Sequence, residues 1–233
     1  DRTGDGKYGV FVANYGGPMK LFEVDRSWQL SDVAPALGMA LSTGGRSLIN
    51  IPRDDGRMQL FAGNENGPNF FFVGENPNYT EVAEAYGIAD PFNTVRGVAI
   101  LDADEDGAFD LVYGNWEGPH RVFMNQGNRF ENVASEAMSE ASRIRTVIAA
   151  DFDNDGYEEI FWNHIGEPNR LFKRSGDQWV SVELGPALEP EGLGTGAAVV
   201  DLNGDGRLEL LIAHGESGAQ AMSAFHWAPN DNQ

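Results

Sequence analysis

Three segments of this chain place oxygen-bearing side chains at a spacing suited to a hard divalent cation. Asp102, Asp104, Asp106, Gly107 and Asp110 spell D-x-D-x-D-G-x-x-D; Asp151, Asp153, Asp155, Gly156 and Glu159 repeat it with Glu last, and Asp201, Asn203, Asp205, Gly206 and Glu209 repeat it with Asn third. Residues one, three and five of such a loop aim their oxygens at one centre only if the chain curls tightly, and glycine at six permits that turn. The residue at seven, Ala108, Tyr157 or Arg207, offers its backbone carbonyl, and the carboxylate at nine closes the shell. Without a cation, carboxylates crowded this closely repel one another. Hard oxygens in this number favour Ca²⁺ over zinc or copper, and a flexible shell of about six or more favours it over Mg²⁺. The competing reading is an Asx-rich turn whose carboxylates serve only local hydrogen bonds. Three copies in one register weigh against it.

Two further loops are degraded. Asp1, Thr3 and Asp5 keep three oxygens, but Gly9 stands where the closing carboxylate belongs, which makes a weaker fourth candidate beside the three strong ones. In Ile51, Arg53, Asp55, Gly56 and Gln59 an arginine at the third position puts a positive charge where the ion would sit, so this loop is expected to hold none. The ninth residue opens a strand, which separates these loops from the EF-hand, with its twelfth-residue ligand and flanking helices.

The loops recur because the whole chain does. Asp1, Ile51, Asp102, Asp151 and Asp201 stand 50, 51, 49 and 50 residues apart, and each is followed five residues on by the glycine of an Asp-Gly pair. Pro18, Pro68, Pro119 and Pro168 follow in register, then Phe22, Phe72, Phe123 and Phe172, then Val33, Val82, Val133 and Val182. Between these landmarks lie short β-branched or aromatic runs such as Val95 to Leu101, Leu111 to Tyr113, Arg121 to Met124 and Phe130 to Ala134, bounded by Gly, Asn, Asp and Pro. Four such strands in a unit of about 50 residues are the signature of a β-propeller blade, whereas a solenoid coil is shorter and a sandwich need not repeat. The expectation is an all-β fold, a β-propeller of four-stranded blades forming one domain over residues 1–233, with units starting near 1, 51, 102, 151 and 201. Val82 to Tyr86 and Ser135 to Ser142 suit a turn or two of helix between blades. The first unit begins in its loop and the last ends in the polar stretch from Ala228 to Gln233, so one strand is wanting at each end. Five blades closing a ring are favoured over a piece of a longer, seven-bladed one.

Composition narrows the partners. With Asp+Glu 36 against Lys+Arg 16, the net charge is −20, which repels phosphate backbones and anionic lipid surfaces. Neither nucleic acid nor membrane insertion is expected, and apolar runs of about six or seven residues fall far short of a membrane span. The absence of cysteine excludes disulfides and thiolate sites. Asp1 to Lys7 show neither the basic nor the apolar region of an export signal, so any such signal is absent or already removed.

Other chemistry finds less support. The repeated polar position Asn14, Asn64, Asn115, His164 and His214 reads first as a turn cap, with Trp116, Trp162 and His120 as the alternative, a stacking surface for a sugar. Trp28, Trp179 and Trp227 are expected to wedge between blades. His214 to Gly218 lacks the spacing of a nucleophile elbow, and the four histidines show no metal-ligand spacing. The carboxylate pairs sit in the metal loops, where they are committed to the cation. Asn78-Tyr79-Thr80 fits a glycosylation acceptor, at a frequency chance would supply.

The runs D-F-D-N-D-G-Y-E-E-I-F-W-N at Asp151 to Asn163, E-P-N-R-L-F at Glu167 to Phe172 and N-R-F-E-N-V-A at Asn128 to Ala134 resemble the FG-GAP or VCBS repeats of integrin-type propellers. Within that family they are similar to the cartilage acidic protein group and its bacterial relatives. The resemblance implies Ca²⁺ between the first and second strands of the blades, an extracellular or periplasmic setting, and no catalytic residues. The expectation is a non-enzymatic, calcium-binding module for adhesion or binding to a protein or glycan. A propeller lectin or a carbohydrate-active enzyme of the polysaccharide lyase kind is the alternative.

Overall fold

A computed structural model describes residues 6–53, 57–75, 78–216 and 218–227. In chain order the strands begin with β1 (Val10–Val12), β2 (Tyr15–Pro18), β3 (Lys20–Val24) and β4 (Leu30–Asp32), then β5 (Ser42–Pro52), β6 (Met58–Asn64), β7 (Phe70–Glu75) and β8 (Asn78–Glu81). They continue with β9 (Val95–Leu101), β10 (Asp110–Asn115), β11 (Arg121–Asn125) and β12 (Phe130–Asn132), then β13 (Ile144–Ala150), β14 (Glu159–His164), β15 (Arg170–Ser175) and β16 (Gln178–Val182). The last are β17 (Gly194–Val200), β18 (Glu209–His214) and β19 (Ser223–His226). Two sheets are four-stranded meanders, β9 to β12 and β13 to β16. The outer units give the three-stranded orders β1-β3-β4 and β17-β18-β19. The polar stretch after Trp227, where a further strand was sought, lies outside the described residues.

One sheet departs from the four-strand expectation. Its order is β2-β5-β6-β7-β8, because β2 leaves its own unit and pairs with the first strand of the next, Tyr15 opposite Gly44. The same position makes single bridges elsewhere, Trp116 with Ser142 and Ile165 with Leu193, so the fifth strand extends a link that other units also make. After the fourth strand the chain turns through a short helix: Pro35–Leu37 and Gly185–Leu188 as 3₁₀ turns, α1 (Ala83–Tyr86) and α2 (Glu136–Ser139) as single α turns. Ser135 caps α2 by accepting the Met138 amide, which fits serine's preference for that place.

By internal packing the chain divides into two compact units, Asp1–Arg96 with Asp106–Phe109 and Asn125–Glu131, and Gly97–Glu105 with Asp110–Met124 and Asn132–Gln233. The core of the first gathers Met19, Leu21, Ala34, Met39, Leu60, Ala62 and Phe72. Its aromatic residues add an edge-on group in which Phe71 meets Tyr86 at 5.4 Å and Phe130 at 5.7 Å. In the second unit β14 is buried throughout, because successive side chains serve two different cores. Ile160 and Trp162 join Leu101, Val112 and Val122, whereas Phe161 joins Leu210 and Ile212. That double-sided burial is what a middle blade strand must satisfy, and it explains an unbroken apolar run rather than an alternating one. Close approach of β9 to β13 is permitted by Gly97, where a Cβ would lie 2.6 Å from the Val147 nitrogen.

The strand ends away from the acidic loops carry a repeated polar staple. Asn14, Asn64 and Asn115 each donate a side-chain amide hydrogen to the carbonyl of the proline four residues on, at 2.6, 2.6 and 2.7 Å, so in these three units the position caps a turn, whereas His214 meets the Ala221 carbonyl and Glu189 instead. The residue after the proline completes the staple. Asn69 accepts the Asn64 amide at 3.0 Å and donates to the Ile88 carbonyl, and Asn169 accepts the His164 amide at 2.9 Å and donates to the Ala187 carbonyl. His120 does the same with a ring: Nδ1 accepts the Asn115 amide at 3.0 Å, which leaves Nε2–H to donate to Ser142 Oγ at 2.7 Å. His120 and Trp162 are fully buried, 4.3 Å apart and edge-on, so neither is the sugar-stacking surface considered above. Trp179 and Trp227 pack on the two cores as expected of wedges. Trp28 does not: it is 78% exposed, held in a left-handed turn at φ 62° with Lys7 above its ring.

Candidate metal centre

The acidic loops join the first and second strands, and their backbone is curled as the spacing requires. The sixth-position glycines have left-handed φ values of 87° at Gly107, 94° at Gly156 and 85° at Gly206. A second left-handed residue, which the sequence reading did not anticipate, stands at position four: Glu105, Asn154 and Gly204, at 59°, 58° and 78°. Such a conformation is cheap for glycine and tolerable for asparagine.

The loops' own backbone takes both carboxylate oxygens of Asp151 and Asp201 but only one oxygen each of Asp153, Asp155, Glu159, Asp205 and Glu209. In the fourth loop Asp151 accepts the Asp155 and Gly156 amides at 3.1 and 2.9 Å, Asp153 the Asp155 amide at 3.2 Å and Asp155 the Tyr157 amide at 3.0 Å. Glu159, already in β14, reaches back to the Phe152 amide with Oε2 at 2.9 Å. The fifth loop repeats the scheme: Asp201 accepts from Gly204, Asp205 and Gly206, Asn203 from Asp205, Asp205 from Arg207, and Glu209 from Leu202 at 2.7 Å. In the third loop Asp102, Asp104 and Asp110 belong to the second compact unit, where Asp110 accepts the Ala103 amide at 2.9 Å. Asp106 and Ala108 belong to the first, where the Ala108 amide meets Asp106 at 2.8 Å. The Asx-turn bonds weighed as an alternative are therefore present, and they consume only part of the acceptor capacity.

What is left over fits a divalent cation. Carboxylate oxygens of Asp151, Asp153 and Glu159 lie within 4.8 Å of one another. Glu159 is almost fully buried, and its Oε1 accepts no hydrogen bond among the described residues. Burial pushes Glu159 up to about 7, with the Asp153 and Asp155 charges adding to the rise. A buried carboxylate in that state needs a proton or a positive charge. In the fifth loop the residues drawn together are Asp205, Glu209 and His226, whose Nδ1 is 3.1 Å from Glu209 Oε1. Asp201 stands outside that trio, its carboxyl held below the usual range by the Gly206, Gly204 and Asp205 amides. The set Asp1, Thr3 and Asp5 lies outside the described residues, as do Asp55 and Gly56 of the loop expected to hold no ion.

Two residues at the loops were missed in sequence. Lys173 in β15 reaches into the fourth loop: Nζ donates to Asp155 Oδ2 at 2.6 Å and to Asp153 Oδ2, and lies 3.6 Å from Glu159 Oε1. Burial works against its charge, but the bonds to Asp153 and Asp155 outweigh that and raise its pKa. The Lys173 hydrogen bond also lowers Asp155. His226 holds the matching place in the fifth loop, directly opposite Glu209 in the β18–β19 ladder. The loops also touch within the second unit, where Asn154 donates to the Gly206 carbonyl at 3.2 Å. Elsewhere in that unit His214 Nε2 faces Glu189 Oε2 at 3.0 Å and Ser223 donates to Glu189 Oε1 at 2.5 Å. The hydroxyl is thus on the carboxylate and not on the imidazole. Ser217 of the rejected elbow lies outside the described residues. No helix among the described residues is long and apolar enough to cross a membrane.

Comparison with known proteins agrees with the repeat. A family model described as an FG-GAP-like repeat matches residues 102–162. The chain is 43% identical to cartilage acidic protein 1 of Mus musculus, over 97% of this chain and 39% of that protein. It is 42% identical to the Xenopus tropicalis protein of that name, with the same coverage. It therefore spans about two fifths of the length of these curated relatives. Among solved structures it is similar to a fucose-specific lectin from Aleuria aurantia, with a TM-score of 0.56 at 13% identity over 97% of this chain and 71% of the lectin. A mutant of that lectin in complex with alpha-methyl-L-fucoside aligns with a TM-score of 0.54, 13% identity and the same coverage. At such identity the likeness speaks for the fold, which is a β-propeller.

Proposed function

We infer that this FG-GAP-repeat chain, related to cartilage acidic protein 1 along 97% of its length, is a calcium-stabilised, non-enzymatic binding module that works outside the cytoplasm and takes a protein or glycan partner. The observation that supports the calcium reading is the convergence of carboxylate oxygens of Asp151, Asp153 and the buried Glu159 within 4.8 Å, in a loop whose backbone bonds recur in the fifth loop. Asp151, Asp153 and Glu159 would hold an ion in the fourth loop, and Asp205 and Glu209 in the fifth. In the third, the proposed ligands within the second unit are Asp102, Asp104 and Asp110, and backbone carbonyls of Tyr157 and Arg207 would complete the shells of the fourth and fifth loops. The ion supplies positive charge where carboxylates converge, so folding and metal binding are linked. Oxygen loops of this kind suit millimolar external Ca²⁺ better than cytosolic levels, which supports export.

The net charge of −20 argues for a partner that is neutral or basic. A lectin-like neighbour determined with a fucoside keeps glycans among the candidates. Calorimetric titration of chelated protein with Ca²⁺, with thermal melting in parallel, tests the metal reading: saturable heat and a raised melting temperature are expected, and flat heats in the full chain overturn it. A glycan array and a polysaccharide-viscosity assay test the partner reading. Retention on the array points to a glycan and silence on it to a protein partner, whereas loss of viscosity replaces the non-enzymatic reading with a lyase.

A further inference from the structure

The fourth loop differs from the fifth in one respect that its own residues do not reveal. We propose that Lys173 is the resident counter-ion of the fourth loop, a tethered ammonium standing where a divalent cation would, so that this loop is stable without metal and is the weaker Ca²⁺ site of the two. The inference rests on the calcium reading above and ranks the loops within it.

The argument follows the oxygens. Backbone amides take Oδ1 of Asp153, Oδ1 of Asp155 and Oε2 of Glu159. The oxygens that remain are Oδ2, Oδ2 and Oε1, and these three are the ones Lys173 faces, two by hydrogen bond and the third at 3.6 Å. An ammonium is a compact point charge with three donors, so it can replace a small cation among converging carboxylates in a way a flat guanidinium cannot. The bridge has an outer and a buried end: the side chains of Lys173 and Asp153 are each 29% exposed and that of Asp155 38%, whereas Glu159 is 3% exposed. The place is set by the sheet, since Lys173 stands one step along the ladder from the Ile160–Phe172 pair and therefore opposite Glu159. In the fifth loop that place holds His226, which with Asn203 shares one Glu209 oxygen at 3.1 Å. A divalent ion entering the fourth loop must expel a charged group that already has partners, and repulsion between the two cations lowers its affinity.

The test compares the wild-type chain with Lys173→Met and Lys173→Arg by Ca²⁺ calorimetry after chelation, and by melting in EDTA and in millimolar Ca²⁺. Lys173→Met is expected to tighten one Ca²⁺ site at least tenfold, to lower the melting temperature in EDTA by several degrees, and to regain it in Ca²⁺. Lys173→Arg keeps the charge and is expected to stay nearer wild type in EDTA. Should Lys173→Met fail to fold, Lys173→Gln, of similar length without the charge, gives the same reading. An unchanged isotherm together with unchanged melting in EDTA overturns the proposal for Lys173 while leaving calcium at the fifth loop intact. Flat heats in every variant overturn the calcium reading and the ranking with it; a charge-dependent loss of stability in EDTA then supports Lys173 as counter-ion alone.

Discussion

Acidification offers a sharp test of the staple beneath the strands. His120 and His164 are both buried, and burial, with repulsion from each other's charge at His120 and from Arg170 at His164, lowers each from about 6.5 to about 3. Their neutral forms are favoured in the folded chain, so each contribution is intact above about pH 6.5 and is lost as pH falls toward about 3. At pH 5 the unfolded chain binds a proton at each histidine that the folded chain refuses, which costs about 2 kcal/mol per residue. Glu159 works in the opposite sense, because its pKa is raised and the fold gains a proton as pH drops through about 7. A pairwise comparison cancels that term. Asparagine occupies the position of His164 in other units, where Asn64 and Asn115 bond a proline carbonyl, so His164→Asn should keep the turn and lose the titration. In urea unfolding followed by tryptophan fluorescence in EDTA, the variant should gain about 2 kcal/mol on wild type between pH 7.5 and pH 5. That corresponds to about 4–8 °C in melting temperature for a chain of this size. Parallel pH profiles for the two proteins would refute a buried neutral imidazole at this site.

Three further outcomes are expected. Gly97→Ala forces a methyl against the β13 backbone at Val147 and should cost about 1–3 kcal/mol, read as a lowered urea midpoint; an unchanged midpoint would mean that β9 and β13 are not in close approach. Phe161→Ala empties a fully buried position in the second core and should cost about 3–5 kcal/mol, whereas a loss below about 1 kcal/mol would contradict double-sided burial of β14. Asp205→Asn keeps the acceptor for the Arg207 amide but removes a charge, so melting in EDTA should hardly change while calorimetry loses one Ca²⁺ site; an unaltered isotherm would reject Asp205 as a ligand.

The loops and their framework were largely legible in the chain because both depend on short-range spacing. An Asp-Gly pair with carboxylates at alternate residues dictates a curl, and the curl is there, down to the left-handed glycines. The position-four residues Glu105 and Asn154 were not legible as left-handed, since neither type announces that conformation as glycine does. The staple left a signal that was read only in part: Pro68-Asn69, Pro119-His120 and Pro168-Asn169 stand in register, but the partners Ile88, Ser142 and Ala187 lie roughly twenty residues downstream. Trp28 departs from the expected wedge because an aromatic residue does not state its exposure. Its turn is held by Asp25, which accepts the Ser27 and Gln29 amides, and the ring is left outside. β2 crossed into the neighbouring sheet because the chain there carries Gly16 and Gly17, which allow the break in register between Tyr15 and Gly17.

Lys173 and His226 show why a loop motif alone understates a site. Lys173 follows Glu159 by 14 residues and His226 follows Glu209 by 17, so no constant spacing links them to the closing carboxylate. Antiparallel pairing does link them, because the hairpin between second and third strands can vary in length while the ladder still returns a side chain to the same place. In the third unit the residue along that ladder from the Leu111–Phe123 pair, opposite Asp110, is Met124, which brings no charge. The loops thus share one backbone design and differ in what the neighbouring strand sets against the ninth residue: a thioether, an ammonium or an imidazole. Coulomb energy at a few ångströms is steep enough for that single choice to separate the affinities of loops whose own ligands are alike. On the calcium reading, the repeat fixes where an ion can sit, and the cross-strand residue decides how tightly each blade holds it.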